Sequence, residues 1–251
     1  MMDELTYNNY KTLINKLKED YNFTCFSKIK FSNEPIEKKV LLRHDIDLSL
    51  EKALEMAEIE AELGVPATYF LFLRSPFYNI FSGREEKIIR RIIELQHYIG
   101  LHFDFAKYDG LTISQMSYQI KREIDFMQDF YSIKLDSVSF HRPLSLEFFS
   151  RLELSIYPHA YEPVFVNNFK YLADSRALWR YGHPLDSDEY KRKENLHILI
   201  HPIWWNEDAV QDIQCLDNFR TLQSERFEEN LYSELKSFWD GKNLKPNGKQ
   251  K

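Results

Sequence analysis

The stretch Val40-Leu41-Leu42-Arg43-His44-Asp45-Ile46-Asp47 decides how this chain is read. Three apolar residues run into four ionisable ones, interrupted only by Ile46. The apolar run predicts a buried strand, with the charges where that strand ends. Taking a carboxylate out of water costs several kcal/mol unless a cation or a donor answers it. Asp45 and Asp47 share one face of an extended backbone, so both can point into one cavity. A divalent metal is then the simplest partner. The same residues also fit a surface turn in which Asp47 caps a helix beginning near Leu48. From this stretch alone both readings stay open.

Outward from it, the pattern alternates. Residues 3–20 read as an amphipathic helix outside the main pattern. A helix over Leu48–Leu63 sets Leu50, Leu54, Ala57 and Ala61 on one stripe, and Gly64 stops it. Further strands are expected at Ala67–Leu73, Leu101–Phe105, Ser137–His141, Ser155–His159, Tyr171–Ser175 and Leu196–His201. Helices are expected at Arg84–His97, with Gly100 marking its stop, and at Ile113–Tyr131, Pro143–Arg151 and Phe219–Trp239. This order implies a mostly parallel α/β sheet with crossover helices, whose sites form at the carboxyl ends of strands. Five strands end in ionisable residues. They carry His44, Asp45 and Asp47; His102 and Asp104; His141 and Arg142; Asp174, followed by Arg176; and His201. These are expected to converge on one pocket at one end of a barrel.

Composition narrows the function classes. A chain of 251 residues with 43% hydrophobic and 15% aromatic content can bury a sizeable core. A formal net charge of −6 argues against nucleic-acid and anionic-membrane partners. Two cysteines, Cys25 and Cys215, fit a reducing compartment. Residues 1–13 lack the apolar core of a signal peptide, and the longest apolar stretch, near Ala67–Leu73, is too short to span a bilayer. A soluble, cytoplasmic protein is expected. The seven glycines do not cluster, so there is no glycine-rich phosphate loop. Three segments are expected: a helical extension over 1–38, one barrel domain over 39–240, and a disordered polar tail over 241–251.

In their order and spacing these residues resemble the polysaccharide deacetylase (NodB-homology) family of carbohydrate esterases, over roughly residues 38–205. The resemblance implies a distorted (β/α) barrel and metal-dependent removal of acetyl groups from N-acetylated sugars. His44-Asp45-Ile46-Asp47 is similar to the family's first motif, which makes Asp45 the base and Asp47 a metal ligand. Gly100-Leu101-His102 is similar to the start of the second and makes His102 a ligand. Phe140-His141-Arg142-Pro143 is similar to the third, in which Arg142 would hold the base. Asp174 through Trp179 is similar to the fourth, and Leu199-Ile200-His201 to the fifth.

The chain departs from the pattern where the family places a second histidine, four residues after the first, because Ala106 stands there. Asp104 is the preferred replacement, since a strand puts it on the face of His102. His44 is the next candidate ligand. The expected metal set is therefore Asp47, His102 and Asp104, with zinc first among divalent ions. The motif also lacks the residue the family places between the arginine and the proline. In the chemistry so implied, Asp45 takes a proton from water and His201 protonates the leaving amine. Asp174 orients His201. His44, His141, Tyr161 and Trp179 are candidate substrate contacts. Trp204 and Trp205 read as core packing, His97 as a helix cap, and His159, His183 and His197 as hydrogen-bonded structural histidines. The expected partner is a small-molecule sugar or a lipid- or nucleotide-linked sugar in surface glycan assembly. The alternative is a carbohydrate binder on the same barrel without catalysis.

Overall fold

The computed structural model describes residues 4–142, 144–154 and 156–242. Seven strands form one wholly parallel sheet: β1 Asn22–Thr24, β2 Lys39–Ile46, β3 Thr68–Leu71, β4 Tyr98–Asp104, β5 Val138–His141, β6 Lys170–Ala173 and β7 Leu196–Ile200. Their order is β5-β4-β3-β2-β7-β6, with β1 added beside β2. One edge of β2 is shared. Its first half pairs with β1, Asn22 opposite Lys39, and its second half with β3, Arg43 opposite Thr68. The other edge pairs with β7 from Val40 to His44.

The helices of this first compact unit, residues 1–209, are α1 Tyr7–Lys18, α2 Phe26–Phe31, α3 Leu50–Glu62, α4 Gly83–Glu94, α5 Ile113–Tyr131, α6 Leu146–Ser150, α7 Pro163–Asn168 and α8 Asp188–Lys191. A second unit, residues 210–251, holds α9 Asp212–Glu234 and α10 Lys236–Lys242. The tail beyond 242 lies outside the described residues, as do Pro143 and Ser155. No described helix is long and apolar enough to cross a membrane.

The sheet curls. Laid flat, β5 and β6 would stand about 24 Å apart at ordinary strand spacing. Instead Phe140 and His141 of β5 and Tyr171 of β6 line one cavity of about 720 Å³. Among the described residues no ladder joins β5 to β6, so the result is an incompletely closed (β/α) barrel. The strand expected at Ser155–His159 is reduced to a single bridge, His159 to Val138, at the β5 edge.

Alternation along β2 divides the molecule. Leu41, Arg43 and Asp45 face the barrel interior, where Leu41 and Phe70 pack with Phe26, Phe165 and Phe169 beneath the site. Val40, Leu42, His44 and Ile46 face the helices. Gly100 is not a helix stop but lies within β4. A Cβ there would meet the Phe70 ring at 2.5 Å and the Ser137 carbonyl oxygen at 2.9 Å, so only glycine lets that ring lie under the site. On α3 the buried face centres on Ala53, Ala57 and Glu60, not on Leu54 and Ala61. Ser49, not Asp47, caps that helix, accepting from Lys52 N at 3.2 Å. That removes the surface-turn reading of Asp47.

Candidate metal and catalytic site

Asp47 follows β2, His102 lies in β4 and His141 ends β5. All three strands point the same way, so their carboxyl ends bring these residues together. Asp47 Oδ1 lies 3.2 Å from His102 Nε2 and 3.2 Å from His141 Nδ1. It is buried, yet neither nitrogen reaches it at hydrogen-bonding angles. One donor atom from each residue lies within 4.8 Å of the others. A carboxylate oxygen and two imidazole nitrogens converging on one point match what a divalent ion needs. Two imidazoles and one carboxylate, with room for further ligands, suit zinc. Burial pushes the Asp47 carboxyl up, and the flanking His102, His141 and His201 imidazoles outweigh burial and hold it well below the usual carboxylate range.

The expected third ligand was Asp104, and the structure does not bring it to this group. β4 stops at Asp104 and the chain turns into a short 3-10 segment, Phe105–Lys107. Asp104 caps that segment, its Oδ1 accepting from Ala106 N at 3.1 Å. His141 stands in the place instead. Sequence reading marked it as a substrate contact, since nothing local shows which β5 residue lines up with β4. The register puts Ser139 beside His102, and His141 two residues further along the same face.

Ser139 carries weight of its own. Its Oγ donates to Asp45 Oδ1 at 3.3 Å, which leaves it to accept from His102 Nδ1 at 2.6 Å. This fixes the His102 ring and turns its Nε2 toward Asp47.

Asp45 is almost wholly buried, and the cation that answers it is Arg43, not Arg142. Arg43 Nη2 donates to Asp45 Oδ2 at 3.0 Å. Positions i and i+2 of a strand share a face, so this pair was open to the alternation argument. The guanidinium lies between the Phe70 and Tyr161 rings, at 5.6 and 5.7 Å. Burial pulls it down, and the Asp45 charge more than offsets that and keeps it charged. Arg142 lines the same cavity but makes no ion pair or hydrogen bond with Asp45. The turn that follows β5 starts at Arg142, with φ +54°.

At the end of the adjacent strand β7, His201 Nδ1 bonds Asp174 Oδ1 at 2.7 Å. Asp174 is fully buried and also accepts from the His201 backbone N at 3.0 Å and from Trp205 Nε1 at 2.8 Å. Trp205, read as core, is both core and the support of Asp174. Burial pulls the His201 imidazole down, and Asp174, joined by Asp45 and Asp47, outweighs it and raises it to about 9.

Two expected substrate contacts lie elsewhere. His44 faces the helices, because alternation turns it away from Asp45. Its Nε2 meets Glu60 Oε1 at 2.6 Å and its ring stacks on Tyr69 at 4.4 Å. Trp179 packs edge-on against His183 at 5.6 Å and Trp205 at 6.3 Å, outside the cavity lining. Tyr161 does line the cavity.

No family model and no curated protein matches the chain. Several solved structures show a limited likeness. A family 4 carbohydrate esterase from Bacillus anthracis is 14% identical over 86% of this chain and 86% of that one, with a TM-score of 0.45. A CE4 family pseudoenzyme from Bacillus anthracis is 14% identical over 77% of this chain and 63% of that one, with a TM-score of 0.43. The chitin deacetylase from the fungus Colletotrichum lindemuthianum is 16% identical over 73% of this chain and 81% of that one, with a TM-score of 0.42. Similarity at this level assigns no activity to this chain, whose chemistry is read from its own side chains.

Proposed function

We propose that the chain is a metal-dependent hydrolase that removes an acyl group, in the first instance acetyl, from an N-acylated sugar. The observation that carries this is the Asp47–His102–His141 cluster, in one cavity with a buried carboxylate, Asp45, and a histidine, His201. Those three residues would hold a divalent ion, with zinc the first choice. Lewis acidity toward the acyl carbonyl and the attacking water is what such an ion supplies there when bound.

The remaining work falls to the chain itself. Asp45 accepts the proton of the attacking water, held and aimed by Arg43 and Ser139. The water oxygen bonds the acyl carbon, and the carbon–nitrogen bond breaks. His201 gives its Nε2 proton to the departing amine, because Asp174 holds its Nδ1. A base and an acid lining one cavity, from the adjacent strand ends of β2 and β7, are the pair that amide hydrolysis requires. The reading of a non-catalytic carbohydrate binder rested on Ala106, and His141 facing Asp47 weakens that motive.

Two cysteines in the whole chain favour a reducing compartment. This supports a cytoplasmic role on nucleotide- or lipid-linked sugar precursors of surface glycans. The test is metal content and turnover measured together. Purified protein loaded with Zn²⁺ should hold one ion, and Asp47→Ala should hold none. Asp45→Asn should keep the ion and lose deacetylation of N-acetylated sugars. Normal turnover by Asp45→Asn, or no metal bound under any loading, would overturn the reading.

A further inference from the structure

The cavity extends beyond the residues that hydrolysis uses, and the charged side chains there are all arginines, among apolar and aromatic ones. Arg142, Arg176 and Arg180 line it and are exposed at its rim. Among the described residues none of the three forms an ion pair with a carboxylate. Elsewhere on this acidic chain arginines such as Arg90, Arg91 and Arg192 do, with Glu86, Glu94 and Glu194. Among the described residues the only carboxylates in the lining are Asp45 and Asp47, and the proposed chemistry already occupies both.

A second observation lies deeper. Arg43 is 1% exposed and spends only Nη2 on Asp45. Its Nε and Nη1 are buried with no partner, and so is Nε2 of His197 in the same lining. Buried donors left bare cost free energy unless an acceptor arrives. Arg142, Arg176 and the adjoining Ala177 also hold φ of +54°, +61° and +58°, where glycine is favoured. The chain keeps arginine at two of these positions in spite of that cost.

Building on the hydrolase reading, we infer that this cavity selects N-acylated sugars carrying an anionic group, phosphoryl or carboxyl, which Arg142, Arg176 and Arg180 hold at the rim while the amide reaches the Asp45–His201 floor. Guanidinium groups suit this task, because they bind oxyanions through two parallel N–H bonds. The unpartnered Nε and Nη1 of Arg43 offer N–H groups to an oxygen of the sugar or acyl group that reaches the floor. A neutral oligosaccharide would leave the rim arginines unanswered and lose that share of binding.

Two measurements test this separately from catalysis. In EDTA-treated protein, calorimetric titration with inorganic pyrophosphate and with glucuronate reads the rim without metal or turnover. Pyrophosphate or glucuronate should bind, more weakly as salt rises, and at least about tenfold more weakly to the Arg176→Ala/Arg180→Ala double variant. Preference for pyrophosphate assigns a phosphoryl group, and preference for glucuronate a carboxyl. Both substituted side chains are exposed, so the melting midpoint should hold. In Zn²⁺-loaded protein, UDP-N-acetylglucosamine and N-acetylmuramic acid are compared with uncharged N,N′-diacetylchitobiose. At least one anionic substrate should exceed the neutral one by about tenfold or more in kcat/KM. The double variant should lose that advantage through KM, with turnover of the neutral sugar unchanged. Equal anion binding by wild type and double variant, or a preference for the neutral sugar, overturns the inference. Anion binding that depends on the arginines, without hydrolysis of any substrate, would retain the anion site and discard the hydrolase reading.

Discussion

At the scale of single residues the floor of the site is a set of charges held by neighbouring side chains. Arg43 answers Asp45, so these two should behave as a unit. Arg43→Gln should cut kcat by about 10²-fold, because it leaves a buried carboxylate without its cation. Arg142→Ala should instead act mainly on KM, as expected of a rim residue. Steady-state kinetics on one substrate decides between the two arginines, and a larger kcat loss in Arg142→Ala would reverse the assignment. His201 makes a second prediction. The donor is the protonated imidazole, and Asp174 raises that group to about 9. Activity should therefore persist through neutral pH and fall as pH rises through that value. Asp174→Asn removes the raising charge, so the alkaline limb should move at least one pH unit toward acid. An NMR titration of His201 in metal-free protein should show the same displacement; an unmoved imidazole would rule Asp174 out as its cause. Much of this was legible beforehand. Asp45, Asp47, His102, Asp174 and His201 stand at strand ends, and strand ends are local features. Arg43 was legible too, two residues from Asp45, but the family motif drew attention to Arg142. His141 as a ligand was not legible, because the β4–β5 register depends on packing across the sheet.

At the scale of elements, the same alternation that aims Asp45 inward sends His44 outward into a second buried network. Glu60 of α3 meets His44 at 2.6 Å and Tyr69 at 2.7 Å, and Tyr10 of α1 also donates to it. His97 closes the group, its Nε2 on the Ala57 carbonyl oxygen at 2.9 Å. Glu60 is fully buried, and burial pushes its carboxyl up. The His44 imidazole, aided by His97 and Tyr10, outweighs burial and brings it below its ordinary value. A lowered carboxyl contributes stability above its unfolded pKa and loses it on acidification through the folded one. This network clamps α1 and α3 to the back of β2 and β3, directly behind the site. Glu60→Gln should therefore destabilise the fold by about 3 kcal/mol at neutral pH, since it strips a buried charge from its partners. Urea unfolding at pH 7 checks the magnitude, and a change within error would show that the network is not structural. Periodicity on α3 did not reveal Glu60. Hydrophobic pattern reading assigns a glutamate to solvent, and only the arrival of two tyrosines and two histidines from elsewhere makes this position an interior one.

At the scale of the whole molecule, the parallel sheet and its curl are what make a site from separated residues. The βα alternation made the parallel sheet legible. β1, three residues long, was not, because Asn22-Phe23-Thr24 carries no pattern of its own and is defined by the edge of β2 that it shares with β3. The curl brings β2, β4 and β5 together at their carboxyl ends, and each contributes one member of the Asp47–His102–His141 cluster. An ion bound there would cross-link three strands in the folded state and find no such arrangement in the unfolded chain. Binding energy of that kind appears directly as stability. Free Zn²⁺ at about 1,000 times its Kd should add about 4 kcal/mol to unfolding, and EDTA should remove it. The choice of third ligand sets the sharper expectation. His141→Ala should abolish the Zn²⁺-dependent rise in melting midpoint, because the ion keeps only two protein ligands. Asp104→Asn should retain it, because that carboxylate serves Ala106 N and not the cluster. Ser139→Ala should fall between, weakening affinity about 10- to 100-fold by freeing the His102 ring to turn. A Zn²⁺ shift that survives His141→Ala and vanishes in Asp104→Asn would restore the ligand set expected from sequence and displace the one drawn from the register of β4 and β5.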